Sequence, residues 1–265
     1  MFLVGKKACL VGVGVMVAFL GGCAPAVCSQ KIHREAKATS RVPILLYHHV
    51  RDLPDSAKPL EKRWSVALQK FDAQMKWLAE QGYHPMTLER MAADLKHGRP
   101  LPDKPIVLTF DDGWKDQYEG AFPILKKYRF VATFFIITDA VGHSAYMDWE
   151  QIKELAVAGM DVQSHSLSHE RLSTMPGFRA RQEIRESKRV MEDHLNKPIT
   201  ILAYPYGSYD DDVIAEVKAA GFDAAVAIGG RNGGYLFRAD QTYTLVRYGI
   251  EGNDNLPAIA RRKGF

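Results

Sequence analysis

The sequence predicts an α/β fold in which short strands alternate with amphipathic helices around a mostly parallel sheet. Three observations support this prediction. Short apolar runs recur along the chain and are separated by stretches with helical periodicity, an order typical of β/α units. The length of 265 residues fits one large α/β domain. A hydrophobic content of 46% and a charged content of 25% are ordinary for a globular protein.

Each predicted strand is a short apolar run bounded by polar residues, glycine or proline. Most of these runs precede a predicted helix, as parallel strands require. The expected strands are Ile44 to His48, Ile106 to Phe110, Ala132 to Ile137, Asp161 to Ser164, Thr200 to Tyr204, Ala224 to Ile228 and Leu245 to Ile250.

The helices are predicted from apolar residues at helical spacing. In Ser65 to Gln81, for example, Leu68, Phe71, Met75 and Leu78 form a stripe that is typical of a helix packed on a core. The other expected helices are Leu88 to Lys96, Ala121 to Tyr128, Trp149 to Ala158, Phe178 to Asn196 and Asp211 to Ala220.

Two adjacent carboxylates, Asp111 and Asp112, end the apolar run Pro105 to Phe110 and precede Gly113. Successive strand side chains point to opposite faces, so the two carboxylates diverge unless the strand turns there. Gly113 permits such a turn at little steric cost. One acid can then hold a metal while the other handles a proton. A solvated Asp-Asp-Gly turn is the alternative, and it is the better interpretation of this motif taken alone.

Two histidines, His165 and His169, lie four residues apart just after the predicted strand Asp161 to Ser164. This spacing lets both imidazoles converge on one ion. With an aspartate from another strand end they form a set of two nitrogen ligands and one oxygen ligand. Three protein ligands leave positions open for water and substrate, as a catalytic metal site requires.

A third motif, Pro205-Tyr206-Gly207, follows the predicted strand Thr200 to Tyr204. Proline fixes the backbone and glycine allows a sharp turn, which can aim a backbone N–H at a developing oxyanion. An ordinary aromatic turn is the alternative. All three motifs follow strands, which places them together at the carboxyl-terminal rim of a parallel barrel.

In this order the three motifs resemble those of the polysaccharide deacetylases, the family with the NodB homology domain (carbohydrate esterase family 4). The resemblance runs from Val42 to Ile250 and includes the segments Leu45 to Val50 and Ala121 to Tyr128. It is closest to the secreted or lipid-anchored branch whose members act on poly-N-acetylglucosamine. The resemblance implies a distorted (β/α)7 barrel, NodB-like in type.

The resemblance also implies roles for individual residues. Asp112, His165 and His169 would bind one divalent metal ion, zinc in the first instance, with cobalt or nickel as alternatives. Asp111 would be the general base that takes a proton from the attacking water. The backbone N–H of Tyr206 would stabilise the oxyanion. The implied reaction removes the acetyl group from an N-acetylhexosamine and leaves a free amine on the polymer.

The polysaccharide substrate expected first is poly-β-1,6-N-acetylglucosamine. Peptidoglycan and chitooligosaccharides remain open, as do an O-acetyl esterase and a non-catalytic glycan-binding module. Trp114, Pro205, Tyr206 and Arg247 are the candidate substrate-binding residues, and Trp114 is the favoured tryptophan because it follows the Asp-Asp-Gly motif directly.

Two positions depart from the family pattern. Many members carry a late Leu-x-His segment whose histidine is the general acid, but Leu245 to Ile250 contains no histidine. Many also place an arginine, which orients the base, where Ala203 stands here. His48 and His49 are the candidates for the missing proton donor, and strand alternation directs one of them inward. Arg247 is the candidate substitute for the missing arginine.

Residues 1–22 are expected to be a lipoprotein signal peptide. Lys6 and Lys7 precede the apolar stretch Ala8 to Phe19, which is short for a membrane-spanning helix. The segment Leu20-Gly21-Gly22-Cys23 resembles a lipobox and implies lipidation of Cys23. An uncleaved signal anchor is the alternative.

Residues 23–41 would then form a lipidated tether, and residues 42–265 the folded domain. We expect the domain to be attached to the membrane through its lipid anchor at the bacterial cell envelope. In a Gram-negative host this would be the periplasmic face of the outer membrane. The three cysteines, Cys9, Cys23 and Cys28, leave no disulfide within the domain.

The charge pattern gives no sign of nucleic-acid binding. The net charge is +4 and the isoelectric point about 8.8, but no basic stripe interleaved with aromatic residues stands out. The cations between Arg171 and Arg189 alternate with acids that include Glu183 and Glu186, a pattern typical of a solvated helix face. The oligomeric state is open.

Overall fold

The computed structural model describes residues 42–229 and 241–265, which belong to one compact unit. The expected signal peptide of residues 1–22, the lipidation site Cys23 and the tether of residues 23–41 lie outside the described residues. Within the described ranges no helix has both the length and the apolar character needed to cross a membrane.

The described strands are, in chain order, β1 (Ile44–Tyr47), β2 (His49–Val50), β3 (Ser65–Val66), β4 (His84–Met86), β5 (Pro105–Phe110), β6 (Thr133–Ile136), β7 (Asp161–Ser164), β8 (Ile201–Ala203), β9 (Ala224–Ile228) and β10 (Leu245–Gly249). All pairings between them are parallel.

A seven-stranded parallel barrel forms the centre of the fold. β1 pairs with both β10 and β5, which closes the ring in the order β1-β10-β9-β8-β7-β6-β5. β4 adds to the beginning of β5, so β5 has three strand partners, while β2 and β3 pair with each other outside the ring. The expected (β/α)7 barrel is therefore confirmed.

The helices that surround the barrel follow its strands. They are α1 (Pro59–Trp64), α2 (Leu68–Glu80), α3 (Leu88–Lys96), α4 (Phe122–Tyr128), α5 (Trp149–Val157), α6 (Gly177–Leu195), α7 (Asp211–Ala219) and α8 (Leu256–Lys263). Several begin at a side-chain cap. Asp148, for example, accepts a hydrogen bond from Gln151 N at the start of α5, and Asp210 accepts one from Val213 N at the start of α7.

The predicted elements agree with these bounds to within one or two residues, with one larger exception. The helix expected over Ser65 to Gln81 begins at Leu68, because Ser65 and Val66 pair with β2 instead. Helices α1 and α8 and the short strands β2 to β4 were not predicted. Helix α1 has no buried residue, so its sequence carries no apolar stripe to signal it.

Strand alternation separates two layers of buried side chains. One cluster joins residues from six strands around the ring, including Val107 and Leu245, and therefore fills the barrel interior. The neighbouring residues Ile106 and Leu108 belong to the larger cluster that packs beneath the helices. Because alternate residues share a face, Arg247 points inward two residues after Leu245.

Candidate active site

The three sequence motifs meet at one rim of the barrel. Asp111 and Asp112 follow β5, His165 follows β7 and Pro205–Gly207 follow β8. Parallel strands present their carboxyl ends at the same edge, so these segments become neighbours in space. Asp112, His165 and His169 each offer one ligand atom, and the three atoms lie within 4.8 Å of one another.

Asp112 is held in an uncommon backbone conformation. Its φ is +76° and that of Gly113 is +78°, so the chain turns sharply at the end of β5. Left-handed backbone costs a non-glycine residue about 1–2 kcal/mol, which the surrounding structure must offset. The turn directs the Asp112 carboxylate toward the two histidines. Its Oδ1 lies 3.4 Å from Nε2 of His165 and 3.4 Å from Nε2 of His169.

Hydrogen bonds from outside the cluster fix Asp112 and His165 in place. The Trp114 indole donates its N–H to Oδ2 of Asp112 at 2.8 Å. His165 donates from Nδ1 to the carbonyl oxygen of Ala203 at 2.8 Å, because a carbonyl can only accept. The proton on Nδ1 leaves the Nε2 lone pair free to face Asp112. Such a partner on the second ring nitrogen is usual for metal-ligating histidines.

The cluster fits a divalent metal ion. Asp112 Oδ1 is buried and accepts no hydrogen bond from any described residue, although two imidazole nitrogens lie 3.4 Å away. Ligand atoms about 2.0–2.1 Å from a tetrahedral ion are separated by about 3.3 Å, close to these distances. Two nitrogens and one carboxylate oxygen suit zinc and related transition ions.

Electrostatics keep Asp112 and His169 in the protonation states that a metal ligand needs, whereas the charges of Asp111 and Asp112 outweigh burial and raise the pKa of His165. Burial alone would raise the pKa of the Asp112 carboxyl, but His165, His48 and His169 together outweigh burial and hold the pKa below its ordinary value. Burial, together with the neighbouring His165, lowers the pKa of His169 to about 4. Asp112 is therefore an anion and His169 a neutral imidazole, which are the ligand forms that a metal ion needs.

Asp111 lies beside the cluster and is locked by Arg247. The guanidinium donates to Oδ1 of Asp111 at 2.6 Å and to Oδ2 at 2.7 Å, and neither residue is exposed to solvent. Burial alone would raise the pKa of Asp111, but Arg247 and then His165 hold it below its ordinary value. Arg247 also donates to Thr109 Oγ1 at 3.2 Å, which fixes the guanidinium inside the barrel.

This position bears on both expectations for Arg247. The guanidinium binds Asp111, as expected of a substitute for the arginine that is missing at Ala203. Direct substrate binding by Arg247 does not fit, because the side chain is fully buried and its N–H groups are directed at Asp111. The residue can affect a substrate only through Asp111.

His48 and His49 point in different directions. Nδ1 of His49 donates to Oδ2 of Asp116 at 2.7 Å, and the ring packs against Trp114 with centroids 4.6 Å apart. His48 lies nearer the paired acids: the Gln117 side-chain amide donates both to its carbonyl oxygen, at 2.7 Å, and to that of Asp111, at 2.5 Å.

His48 is half-buried, and its ring packs against Trp64 with centroids 4.6 Å apart. Its Nδ1 has no hydrogen-bond partner among the described residues. Burial lowers the pKa of His48, while the charges of Asp112 and Asp111 oppose that change. The His48 ring is therefore close enough to Asp112 and Asp111 for their charges to affect its pKa.

Two aromatic side chains pack against the half-buried Trp114. Its ring lies 4.3 Å from that of Tyr146 at an interplanar angle of 21°, and 4.6 Å from that of His49 at 34°. Tyr146 and His49 therefore both pack against the indole. Its placement fits a role in holding Asp112 better than the expected stacking on a substrate.

Tyr206 offers an exposed aromatic surface at the rim. Its side chain is 51% exposed, its ring centroid lies 4.6 Å from that of His169, and the Arg171 guanidinium lies 4.3 Å from the ring centroid. Its φ is +56°, and Pro205 beneath it is buried. The Tyr206 N–H is not used by any hydrogen bond among the described residues. The turn can therefore present both a ring and a free donor.

Glu183 was misinterpreted from the sequence. The charge pattern of α6 suggested a solvated face, but Glu183 is 3% exposed and its carboxylate contacts the loop between His165 and His169. One signal could have revealed it. Glu183 falls among the buried residues Ala180, Ile184, Ser187 and Met191 at helical spacing, within the inward stripe.

Comparison with known proteins identifies a matching family profile and a similar crystal structure. A sequence profile of the family described as polysaccharide deacetylase matches residues 98–225, which include Asp111, Asp112, His165, His169 and Tyr206. His48 and Arg247 lie outside the matched range. The crystal structure of BA0330 from Bacillus anthracis, a proposed polysaccharide deacetylase, superimposes with a TM-score of 0.74 at 30% identity, covering 85% of this chain and 69% of that one.

Two curated relatives are also similar. YxkH of Bacillus subtilis, a proposed polysaccharide deacetylase, is 32% identical over 187 residues, which are 71% of this chain and 64% of that protein. A poly-beta-1,6-N-acetyl-D-glucosamine N-deacetylase of Staphylococcus aureus is 30% identical over 174 residues, 60% of each protein. The chain thus spans less than two thirds of the length of these curated relatives.

Proposed function

The chain belongs to the polysaccharide deacetylase family, and we propose that it is a metal-dependent hydrolase that removes N-acetyl groups from an N-acetylglucosamine-containing polysaccharide. The observation that carries the proposal is the grouping of Asp112, His165 and His169 beside Asp111. Oδ2 of Asp111 lies 3.7 Å from Nε2 of His165, so the second acid is adjacent to the ligand set.

Asp112, His165 and His169 would hold the ion, for which we propose zinc, with cobalt or nickel as alternatives. Such an ion, when bound, acts as a Lewis acid toward the acetyl carbonyl and makes water more acidic. The open side of a three-ligand set leaves room for substrate and water.

We assign Asp111 the role of general base. Arg247 and His165 keep its carboxylate ionised, and the bidentate contact with Arg247 fixes its orientation. Each carboxylate oxygen uses one lone pair to accept a hydrogen bond from Arg247 and retains another for a proton from the attacking water. A positioned base of this kind contributes about 10²–10⁴-fold to the rate.

Two further groups complete the reaction. The free N–H of Tyr206 would donate a hydrogen bond to the oxyanion of the tetrahedral intermediate, since the turn presents it at the rim. When the C–N bond breaks, the amine needs a proton and the former acetyl group leaves as acetate. We assign that proton transfer to His48, because His49 is engaged with Asp116.

We propose poly-β-1,6-N-acetylglucosamine as the first substrate to test, since the Staphylococcus aureus relative carries that activity in its name. Peptidoglycan and chitooligosaccharides are the alternatives. The exposed ring of Tyr206 would form the sugar-binding wall. Pro205, expected from the sequence to contact substrate, is buried beneath Tyr206 and would support the turn instead. We also propose that the domain acts at the cell envelope and is anchored through lipidated Cys23.

Acetate release from acetylated oligosaccharides tests the proposal. Purified protein should release acetate from at least one of the three glycan classes, chelator should abolish the release, and zinc or cobalt should restore it. Release from an O-acetylated glycan alone would assign the site to an esterase. Glycan binding without release under every metal would reject hydrolysis.

A further inference from the structure

One face of α6 reaches the loop that carries both histidines. Glu183 and Ser187 lie four residues apart, which places their side chains one above the other on this face. Glu183 is 3% exposed and Ser187 is fully buried. Neither side chain hydrogen-bonds to an imidazole. Glu183 binds the backbone between the two histidines, and Ser187 binds the side chain of Ser164, which precedes His165.

Glu183 accepts three hydrogen bonds from the middle of the loop. Its Oε2 accepts from Leu167 N at 3.1 Å and from Ser168 N at 2.8 Å, and its Oε1 accepts from Ser168 Oγ at 2.7 Å. Leu167 and Ser168 are two of the three residues that separate His165 from His169. A buried carboxylate with three donors is a strong and directional anchor.

Ser187 holds the beginning of the same loop through a directed chain. Its hydroxyl donates to the carbonyl oxygen of Ile184 at 3.0 Å and therefore accepts from Ser164 Oγ at 2.8 Å. Ser164 Oγ in turn accepts from Ser166 N at 3.2 Å. The residues on either side of His165 are thus tied to α6.

The loop needs this support because its backbone is strained. Ser166 has φ +63° and His169 has φ +64°, both in the left-handed region that non-glycine residues rarely adopt. The strained turns bring the two Nε2 atoms to the same distance from Asp112 Oδ1. Without an anchor, the loop would relax and the histidines would separate.

We propose that Glu183 is a positioning residue that holds His165 and His169 in the relative positions that a bound cation requires. Ser187, on the same helix face, supports the beginning of the same loop. The proposal rests on the proposed metal site but not on any particular reaction. Hydrogen-bond partners of metal ligands typically contribute 10- to 100-fold to metal affinity. Glu183 acts one step further out, on the loop rather than the ring, so about 10-fold is expected.

The test measures zinc affinity. Bound metal is first removed from the protein with a chelator, and zinc is then titrated in competition with a second, chromophoric chelator. Glu183→Ala should bind zinc about 10-fold more weakly than the unaltered protein. Glu183→Gln keeps an oxygen for the two N–H groups but loses the charge, and should fall between. Glu186→Ala removes a partly exposed carboxylate from the same helix and should leave affinity unchanged.

Two further readouts separate positioning from general stability. Hydrogen exchange of the Leu167 and Ser168 amides should accelerate in metal-free Glu183→Ala. A purely structural role would lower the melting temperature but leave affinity within twofold of the unaltered protein, and that result would overturn the proposal. If Glu183→Ala does not fold, unchanged affinity of Glu183→Gln overturns it instead.

Acetate release, assayed separately, keeps the two proposals distinct. Zinc binding that depends on Glu183 but brings no acetate release would reject the deacetylase and leave the positioning role standing. Normal acetate release and normal zinc affinity in Glu183→Ala would reject the positioning role and leave the deacetylase proposal standing. Failure of the unaltered protein to bind any divalent ion would reject both.

Discussion

Arg247 and Asp111 form a bidentate ion pair, with N–O distances of 2.6 and 2.7 Å, in which neither side chain is exposed. The pair joins the last strand of the barrel, β10, to the end of β5, across 136 residues of sequence. Each partner compensates a charge that would be costly to bury alone. The pair therefore serves both the stability of the barrel and the orientation of the proposed base.

We expect Arg247→Met to leave a buried, unpaired carboxylate. Breaking a buried pair in this way costs about 3–5 kcal/mol of unfolding free energy. The pKa of Asp111 should rise, because Arg247 holds it down against burial, so the acid limb of the kcat/KM profile should move to higher pH. Arg247→Lys keeps the charge but not the fork, and should be intermediate. An unshifted acid limb in a folded Arg247→Met variant would contradict the role of Arg247 in keeping Asp111 ionised.

Substitutions of the adjacent acids Asp111 and Asp112 should change different properties, the first kcat and the second zinc affinity. Asp111→Asn should lose about 10²–10⁴-fold in kcat while keeping its zinc affinity, since it removes a base and not a ligand. Asp112→Asn should weaken zinc binding itself, because a neutral amide replaces an anionic ligand. Equal effects of both variants on zinc affinity, measured by chelator competition, would reject the division of roles.

His48 and His49 offer a matched pair of variants. His48→Gln should lower kcat by about 10²–10⁴-fold if it protonates the leaving amine. His49→Gln should cost about 1.5–3 kcal/mol of stability, through the lost bond to Asp116, with little change in kcat. Steady-state kinetics and thermal unfolding measure the two effects. A large loss of kcat in His49→Gln with an active His48→Gln would reverse the assignment.

Trp114 and Tyr206 should differ in which constant they change. Trp114→Phe keeps a ring packed against His49 and Tyr146 but removes the donor to Asp112, so zinc affinity should fall about 10-fold with KM for glycan unchanged. Tyr206→Ala should raise KM about tenfold at most, since one ring contact contributes about 0.5–1.5 kcal/mol. A raised KM with normal zinc affinity in Trp114→Phe would restore its expected role in sugar stacking.

Strand ends were the most predictable part of the molecule. The runs that became β5 and β7 are bounded by clear signals, and parallel pairing brings their ends together, so the meeting of Asp112 with His165 could be expected from the sequence. The partner of Asp111 was harder, because β10 closes the ring only through long-range pairing. Glu183 was missed because a charge on a charge-rich helix suggests solvent unless the inward stripe is traced residue by residue.

β5 has strands on both sides along its length: β1 on one side, and β4 followed by β6 on the other. The pairing continues past its end, where Asp111 N donates to the Tyr47 carbonyl oxygen at 3.0 Å. Amides in such a strand open only with the whole domain. Asp111, the proposed base, thus continues a strand that has partners on both sides, whereas the Tyr206 turn lies at the surface. Laboratory evolution of substrate range should accordingly accumulate changes around that turn and leave β5 untouched.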